Sequence, residues 1–176
     1  MLGAAGALSC VAAGTALGVW LRGRKQARFR MLQAQTEALG GMRLLLEQER
    51  PALPELLTDC AGYVSIGKGA EEVARRLMIT AETLNLDPLC GLTHAYREAC
   101  IQVPMPWEQA EERLAMEALF RQLGCGTASM REKAVAACIR RIRPLLEAAQ
   151  TEAVTGGRLC MQLGLLVGLM AGIALW

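Results

Sequence analysis

The chain has few side chains of the kinds that perform catalysis or bind metals. Its one histidine, His94, has no serine or cysteine motif around it, so neither a general base nor a nucleophilic pair is indicated. The seven cysteines contain no C-x-x-C pair and, with one histidine, give no zinc-ligand spacing. Gly67-Lys68-Gly69 lacks the spacing and the hydroxyl residue of a phosphate-binding loop. The sequence therefore predicts no catalytic, cofactor or metal site and a protein that is not an enzyme.

The remaining polar clusters do not indicate a nucleic acid or a small-molecule substrate either. Aromatic residues make up only 4% of the chain and are not interleaved with basic ones, as single-stranded nucleic-acid binding requires. Glu108, Glu111 and Glu112 form an acidic helix face, which we interpret as solvated. An odd number of cysteines without paired spacing is typical of free thiols in a reducing compartment.

The position of the charged residues is the most informative feature of the sequence. All 19 Lys and Arg and all 17 Asp and Glu lie between Arg22 and Arg158. A charge at the centre of a bilayer costs at least ~2.5–3.5 kcal/mol, whereas a globular surface has no reason to sort its charges in this way. The pattern predicts a transmembrane helix at 2–21, a helical domain at 22–158 and a second transmembrane helix at 159–176.

The uncharged ends allow two other interpretations. A cleaved signal peptide fits badly because no Lys or Arg precedes the apolar stretch. A hairpin of two buried apolar helices in a soluble protein is the other alternative. Basic residues directly follow the first segment, and positive flanks stay in the cytoplasm, so we expect a cytoplasmic central domain. This basic cluster, which also has the charge to lie on anionic lipid, consists of Arg22, Arg24, Lys25, Arg28 and Arg30.

Small residues recur every four positions in both predicted spans. Such spacing lines one helix face and lets another backbone approach closely, which stabilises helix packing in lipid. The alternative is that glycine is simply common in membrane helices. The predicted packing positions are Gly6, Gly14, Gly18, Gly164, Gly168 and Gly172.

The central domain is predicted to be all-α, a bundle of five to six helices. Apolar residues at helical spacing, separated by proline or glycine, indicate its helices. Ser129 and Glu132 suggest a capping box, and Pro144 suggests a kink near 139–143. The predicted helices are 26–49, 54–63, 71–84, 87–101, 107–123 and a long last helix from 130 toward the second span.

Several short motifs of the sequence resemble those of the stage III sporulation protein AB family. A leucine-rich helix at 29–46 follows the basic stretch, and Trp107-Glu108-Gln109 comes after mid-chain. Leu119-Phe120-Arg121-Gln122-Leu123-Gly124 precedes the long last helix, and residues 162–169 read QLGLLVGL. Residues 124–128 depart from the family pattern, so no residue role is carried over.

The resemblance implies a structural role in a membrane complex. The family is similar to the cytoplasmic domains of inner-membrane platform proteins in type II secretion and type IV pilus systems. It implies a non-enzymatic subunit of a sporulation channel between mother cell and forespore, with the domain on the mother-cell side. Implied partners are other channel membrane proteins, a cytoplasmic secretion-type ATPase and the bilayer. The alternatives are a generic scaffold of another envelope complex and a small membrane enzyme or transporter subunit.

Overall fold

The computed structural model describes residues 2–48, 51–64, 67, 69–125, 127–156, 166 and 170. Six α-helices follow one another in this part of the chain, which contains no strand, so the all-α prediction is confirmed. A π-helical turn, Glu152–Gly156, follows the last of them. The helices are α1 (Leu2–Gln48), α2 (Leu53–Gly62), α3 (Ala70–Leu86), α4 (Leu92–Gln102), α5 (Ala110–Cys125) and α6 (Ala128–Thr151).

The first predicted span and the first predicted domain helix are one helix, α1. No proline interrupts the chain before Pro51, and the glycines at 23, 40 and 41 lower helix propensity without ending the helix. Among the described residues, no helix combines the length and apolar character that crossing a bilayer requires. Most of the segment 159–176 lies outside the described residues, and the two spans remain predictions from the charge pattern.

The chain divides into two compact units. Residues 30–147 form one unit, and residues 1–29 group with 148–176 in the other. Among the residues that the structure describes, the largest fully buried side chains belong to the 30–147 unit. These side chains are Tyr96, Phe120, Met31, Leu32, Leu39, Met42, Leu46, Leu56, Leu57, Leu77, Leu119 and Leu123.

Consecutive helices pack against each other in the 30–147 unit: α3 on α2 and α4, and α5 on α4. The rings of Tyr96 and Phe120 stack with centroids 3.9 Å apart, and the Arg97 guanidinium is 3.4 Å from the Glu117 carboxylate. Residues further along α4 therefore contact residues earlier in α5, so the two helices are antiparallel.

The α5–α6 pair is antiparallel as well. Arg131 Nε donates to the Leu123 carbonyl at 3.1 Å, near the start of α6 and the end of α5. Further along α6, Cys138 Sγ lies 3.7 Å from the Ala115 carbonyl. The first contact also satisfies a carbonyl in the last turn of α5, which has no partner within that helix.

One close backbone approach joins α1 to the end of α2. A Cβ on Gly41 would lie 2.8 Å from Cδ2 of Tyr63, closer than such atoms normally come. A Cβ on the neighbouring Gly40 would meet nothing within 4 Å. The absence of a side chain at 41 is therefore what lets Tyr63 lie against α1.

Three predicted helix starts are wrong. The helix predicted from 107 begins at Ala110. The fourth helix begins at Leu92, not near Asp87, because Gly91 adopts φ +78°, which glycine reaches at little cost. Asp87 instead accepts a hydrogen bond from the Leu89 amide at 3.1 Å and stabilises a turn. The last helix begins at Ala128, so Ser129 lies in its first turn and the predicted capping box is not at its N-cap.

Candidate interaction surface

Four residues of the basic cluster, Arg22, Arg24, Lys25 and Arg28, belong to the unit of residues 1–29 and 148–176, and Arg30 is the first residue of the 30–147 unit. All five residues of the cluster lie on α1, within about two and a half turns. Arg22, Arg24 and Arg30 are exposed, Lys25 is half-buried, and Arg28 is buried. A helix rotates its side chains by about 100° per residue, so the spacing of these five positions distributes them around the helix axis and not on one face.

Arg28 has a different role from the rest of the cluster. Its Nη1 lies 3.1 Å from Oε2 of Glu152, the first residue of the π-helical turn, and its side chain is 10% exposed. The ion pair joins α1 to the chain just after α6, within this unit. Because Glu152 is 52% exposed, water screens the pair and its contribution to stability is small. The structure therefore engages the Arg28 guanidinium within this unit, and a lipid-facing role for the cluster remains a prediction.

The predicted packing glycines of the first segment lie on α1. Gly18 is buried and Gly14 is half-buried, whereas residues 16, 17, 19 and 20 are exposed. Gly6 also lies in α1, and its packing remains a prediction. The positions 164, 168 and 172 lie outside the described residues, so their packing remains a prediction.

The exposed Trp20 lies at the end of the uncharged segment. The Arg24 guanidinium carbon is 5.9 Å from the centroid of its ring, a distance at which a cation is attracted to an aromatic face. Tryptophan and arginine side by side are typical of the interface between a membrane and water.

The 30–147 unit contains a buried polar centre that the sequence interpretation missed. Nη1 of Arg76 donates to both carboxylate oxygens of Glu108, at 3.0 and 2.9 Å, and Nε donates to the Val103 carbonyl at 2.9 Å. Their side chains are only 4% and 6% exposed. The interaction holds the linker between α4 and α5 against α3.

Electrostatic effects follow from this burial. Burial disfavours the charged form of Arg76, but Glu108, Tyr96 and Cys100 together outweigh this effect, and the pKa of Arg76 is raised above its usual value. Burial, together with Cys100 and Glu108, raises the pKa of Tyr96. Burial likewise raises the pKa of the Cys100 thiol. The charge at this centre is therefore confined to one paired arginine and carboxylate, while its neighbours stay neutral.

The acidic face predicted for α5 is not solvated as a whole. Glu108 is in the buried pair, and Glu112 is fully buried, with its carboxylate accepting a hydrogen bond from the Gln109 amide at 2.8 Å. Only Glu111 is exposed. A carboxylate three residues into a helix reaches back to cap a free amide, and this spacing was the signal for the role of Glu112.

A surface groove lies between α5 and α6 in the 30–147 unit. It encloses about 580 Å³ and has basic side chains and exposed apolar ones, and none of its described lining residues is a carboxylate. The lining residues are Arg121, Gln122, Cys125, Met130, Lys133 and Ala134. Grooves of this size are typical of binding sites, and the charges favour an acidic partner.

The residues with catalytic potential are dispersed. His94 is exposed on α4, as expected for a surface residue. Cys60 and Cys138 are buried, and burial raises the pKa of each thiol to about 12. Within the described part of the chain, no three His, Cys, Asp or Glu side chains are grouped as metal ligands.

Comparison with known proteins gives one match. The model of a family described as stage III sporulation protein AB matches residues 3–176, nearly the whole chain. No curated protein and no solved structure matches the chain.

Proposed function

The chain belongs to the stage III sporulation protein AB family, and on that premise we propose that it is a non-enzymatic platform subunit of a sporulation channel in the cell membrane. Membership makes it a sporulation-associated protein. The proposed complex links mother cell and forespore, and the helical bundle engages a cytoplasmic secretion-type ATPase on the mother-cell side.

The observation that carries this proposal is the separation of charge along the chain. Both ends lack charged residues, and every charge lies in 22–158, within which the buried core of the helical unit also lies. A chain with apolar ends and a self-sufficient core between them is suited to membrane attachment at both ends, with the bundle free to bind other proteins. The buried Arg76–Glu108 pair gives this bundle a fixed internal arrangement, which a scaffold needs in order to hold its partners.

The α5–α6 groove is the surface that we assign to the partner. Arg121 and Lys133 provide positive charge at its edge, and Met130, 60% exposed, provides an apolar contact. Such a combination suits a helix that carries both carboxylates and apolar residues.

The proposal is tested by capture of the partner from solubilised membranes of sporulating cells, with the tagged full chain as bait. We expect an ATPase among the captured proteins, and a several-fold loss of it in the Arg121→Glu, Lys133→Glu double variant. Arg113→Glu is the matched control, because Arg113 is exposed on α5 and does not line the groove. Failure to capture any ATPase, together with normal spore counts after gene deletion, would refute the proposal.

Topology is tested by the thiol chemistry of Cys125. Cys125 is exposed, whereas Cys60 is buried and would resist labelling on either side of a membrane. A membrane-impermeant maleimide should leave Cys125 unmodified in intact cells and modify it after permeabilisation, as read by peptide mass spectrometry. Modification in intact cells would contradict a cytoplasmic bundle.

A further inference from the structure

A cavity of about 400 Å³ lies between α1 and the end of α6, within the unit that contains residues 1–29. Its lining residues from α1 are Arg22, Gln26 and Phe29, which are spaced at i, i+4 and i+7 and so share one helix face. Gln150, Ala153 and Val154 line the other side. The volume is in the range of small-molecule sites, about 300–1,000 Å³.

The cavity begins where the uncharged segment of the chain ends. Arg22 is the first charged residue, and Phe29 lies about 10 Å further along the helix axis. The headgroup layer on each side of a bilayer is roughly 5–8 Å thick, the difference between the full membrane and its hydrocarbon core. If residues 2–21 span a membrane, the α1 wall of the cavity crosses the headgroup layer.

The polar groups of the cavity suit a phosphate that is linked to a polyol. Arg22 provides a planar guanidinium, which pairs with phosphate oxygens, and no ion pair engages it in the part of the chain that the structure describes. Gln26 and Gln150 each provide an amide that donates and accepts hydrogen bonds, as hydroxyl groups require. Phe29 and Val154 provide apolar walls for the carbon atoms between these groups.

The cavity is less suited to headgroups that carry an ammonium group. An ammonium group needs a carboxylate or several acceptors around it, and none of the lining residues that the structure describes is a carboxylate. Glu152 is close in sequence, but its carboxylate is 3.1 Å from Arg28 and is already paired. The arrangement therefore favours a phosphoglycerol headgroup over a phosphoethanolamine one.

We propose that this cavity binds the phosphoglycerol headgroup of an anionic phospholipid, with Arg22 on the phosphate and the two glutamine amides on the glycerol hydroxyls. The inference rests on the proposed membrane attachment and extends it. The bilayer then surrounds the two apolar ends, and one of its lipids also binds at a defined site. General attraction of anionic lipid by the basic cluster is a different effect, in which every base at the surface contributes alike, by about fivefold in binding each.

The test is native mass spectrometry of the detergent-solubilised full chain, titrated in turn with phosphatidylglycerol and phosphatidylethanolamine. We expect the wild type to retain phosphatidylglycerol preferentially. Arg22→Gln should weaken its binding at least tenfold, as for loss of a hydrogen bond to a charged group. Gln150→Leu, which changes no charge, should weaken it by about two- to tenfold, as for loss of a neutral hydrogen bond.

Arg24→Gln is the matched control. It removes the same charge from the same helix, but Arg24 lies over the Trp20 ring and does not line the cavity. A defined site predicts a larger effect of Arg22→Gln than of Arg24→Gln, by several-fold. Equal effects of the two variants, with no effect of Gln150→Leu, would show general attraction only and overturn the inference.

Two further measurements separate the sources of failure. Inorganic phosphate is titrated into the same sample, and binding as tight as that of the lipid would show a free-anion site and overturn the assignment to lipid. Alkaline carbonate extraction of cell membranes is performed for the wild type and all three variants. Release of the wild type would refute the proposed membrane attachment itself, whereas retention together with loss of lipid selectivity would refute only the headgroup site.

Discussion

The buried ion pair between α3 and the α4–α5 linker gives the most quantitative prediction. Arg76 and Glu108 are 4% and 6% exposed and 2.9 Å apart. In Glu108→Gln the side chain keeps its shape, but the arginine charge loses its compensating carboxylate in a site from which water is excluded. Breaking a buried pair by removing one partner costs about 3–5 kcal/mol, so we expect a loss of that size in the free energy of unfolding.

The exposed pair Arg43–Glu47 provides the control. Its atoms are also 2.9 Å apart, but its side chains are 58% and 51% exposed. Pairs of this kind on a helix surface contribute about 0.3–0.5 kcal/mol, so Glu47→Gln should have almost no effect. The two variants make the same chemical change at the same closest distance, and the main difference between the two pairs is their burial.

The assay is urea unfolding of the full chain in mild detergent, followed by circular dichroism at 222 nm. A third variant, Arg76→Met with Glu108→Leu, replaces the pair by apolar side chains and should recover most of the loss, because no charge is then left unpaired. If Glu108→Gln lay within about 1 kcal/mol of Glu47→Gln, the burial argument would be refuted. A double variant less stable than Glu108→Gln would show that hydrogen bonds, not charge compensation, are the main contribution.

Three other predictions follow from the 30–147 unit. Gly40→Ala should stabilise α1 by about 0.8–1 kcal/mol in the same assay. Gly41→Ala should instead destabilise α1, because the Cβ at position 41 would lie 2.8 Å from the Tyr63 ring. Equal effects of the two variants would contradict the close approach of Tyr63 to α1. Burial raises the pKa of Cys60 and Cys138 to about 12, while an unfolded thiol loses its proton above pH 9. The free energy of unfolding should therefore fall as pH rises from 9 toward 12, by up to ~1.4 kcal/mol per pH unit per thiol, and Cys60→Val with Cys138→Val should flatten this slope. In the folded protein Cys125 should react with maleimide well before either buried thiol; similar rates by mass spectrometry would contradict the burial.

Apolar spacing predicted the helices of the bundle because it reports which residues contact the core. The predicted ranges 54–63 and 71–84 differ by one or two residues from α2, Leu53–Gly62, and α3, Ala70–Leu86. The errors are at helix starts, because the conformation of a single residue decides where a helix begins. Gly91 reaches φ +78° and so delays α4 past Asp87, a backbone choice that leaves no periodic pattern in the sequence.

The polar centre was missed for a physical reason. Arginine and glutamate are usually solvated, which is why the sequence favours a solvated face for Glu108 and gives no partner for Arg76. Yet Arg76 occupies the apolar stripe of α3 together with Val73, Leu77 and Thr80, which are all buried. A charged residue at i+3 in an otherwise buried stripe is the signal that it has a buried partner. The sequence alone does not identify that partner, because Glu108 lies 32 residues away, with helix α4 between the two residues.

The basic cluster is a second case in which the sequence does not show which way a charged side chain faces. Five basic residues in a short run suggest one positively charged surface, because the sequence shows only that they are close together along the chain. A helix at this spacing distributes them around its axis. Arg28 consequently faces inward to Glu152, Arg24 lies on Trp20, and Arg22 opens into the cavity beside Gln150. General attraction to anionic lipid depends on the number of bases, whereas recognition of a headgroup depends on which base faces the cavity. The separate effects of Arg22→Gln and Arg24→Gln on lipid retention are therefore the measurement that distinguishes a membrane-anchored scaffold from one that also selects its lipid.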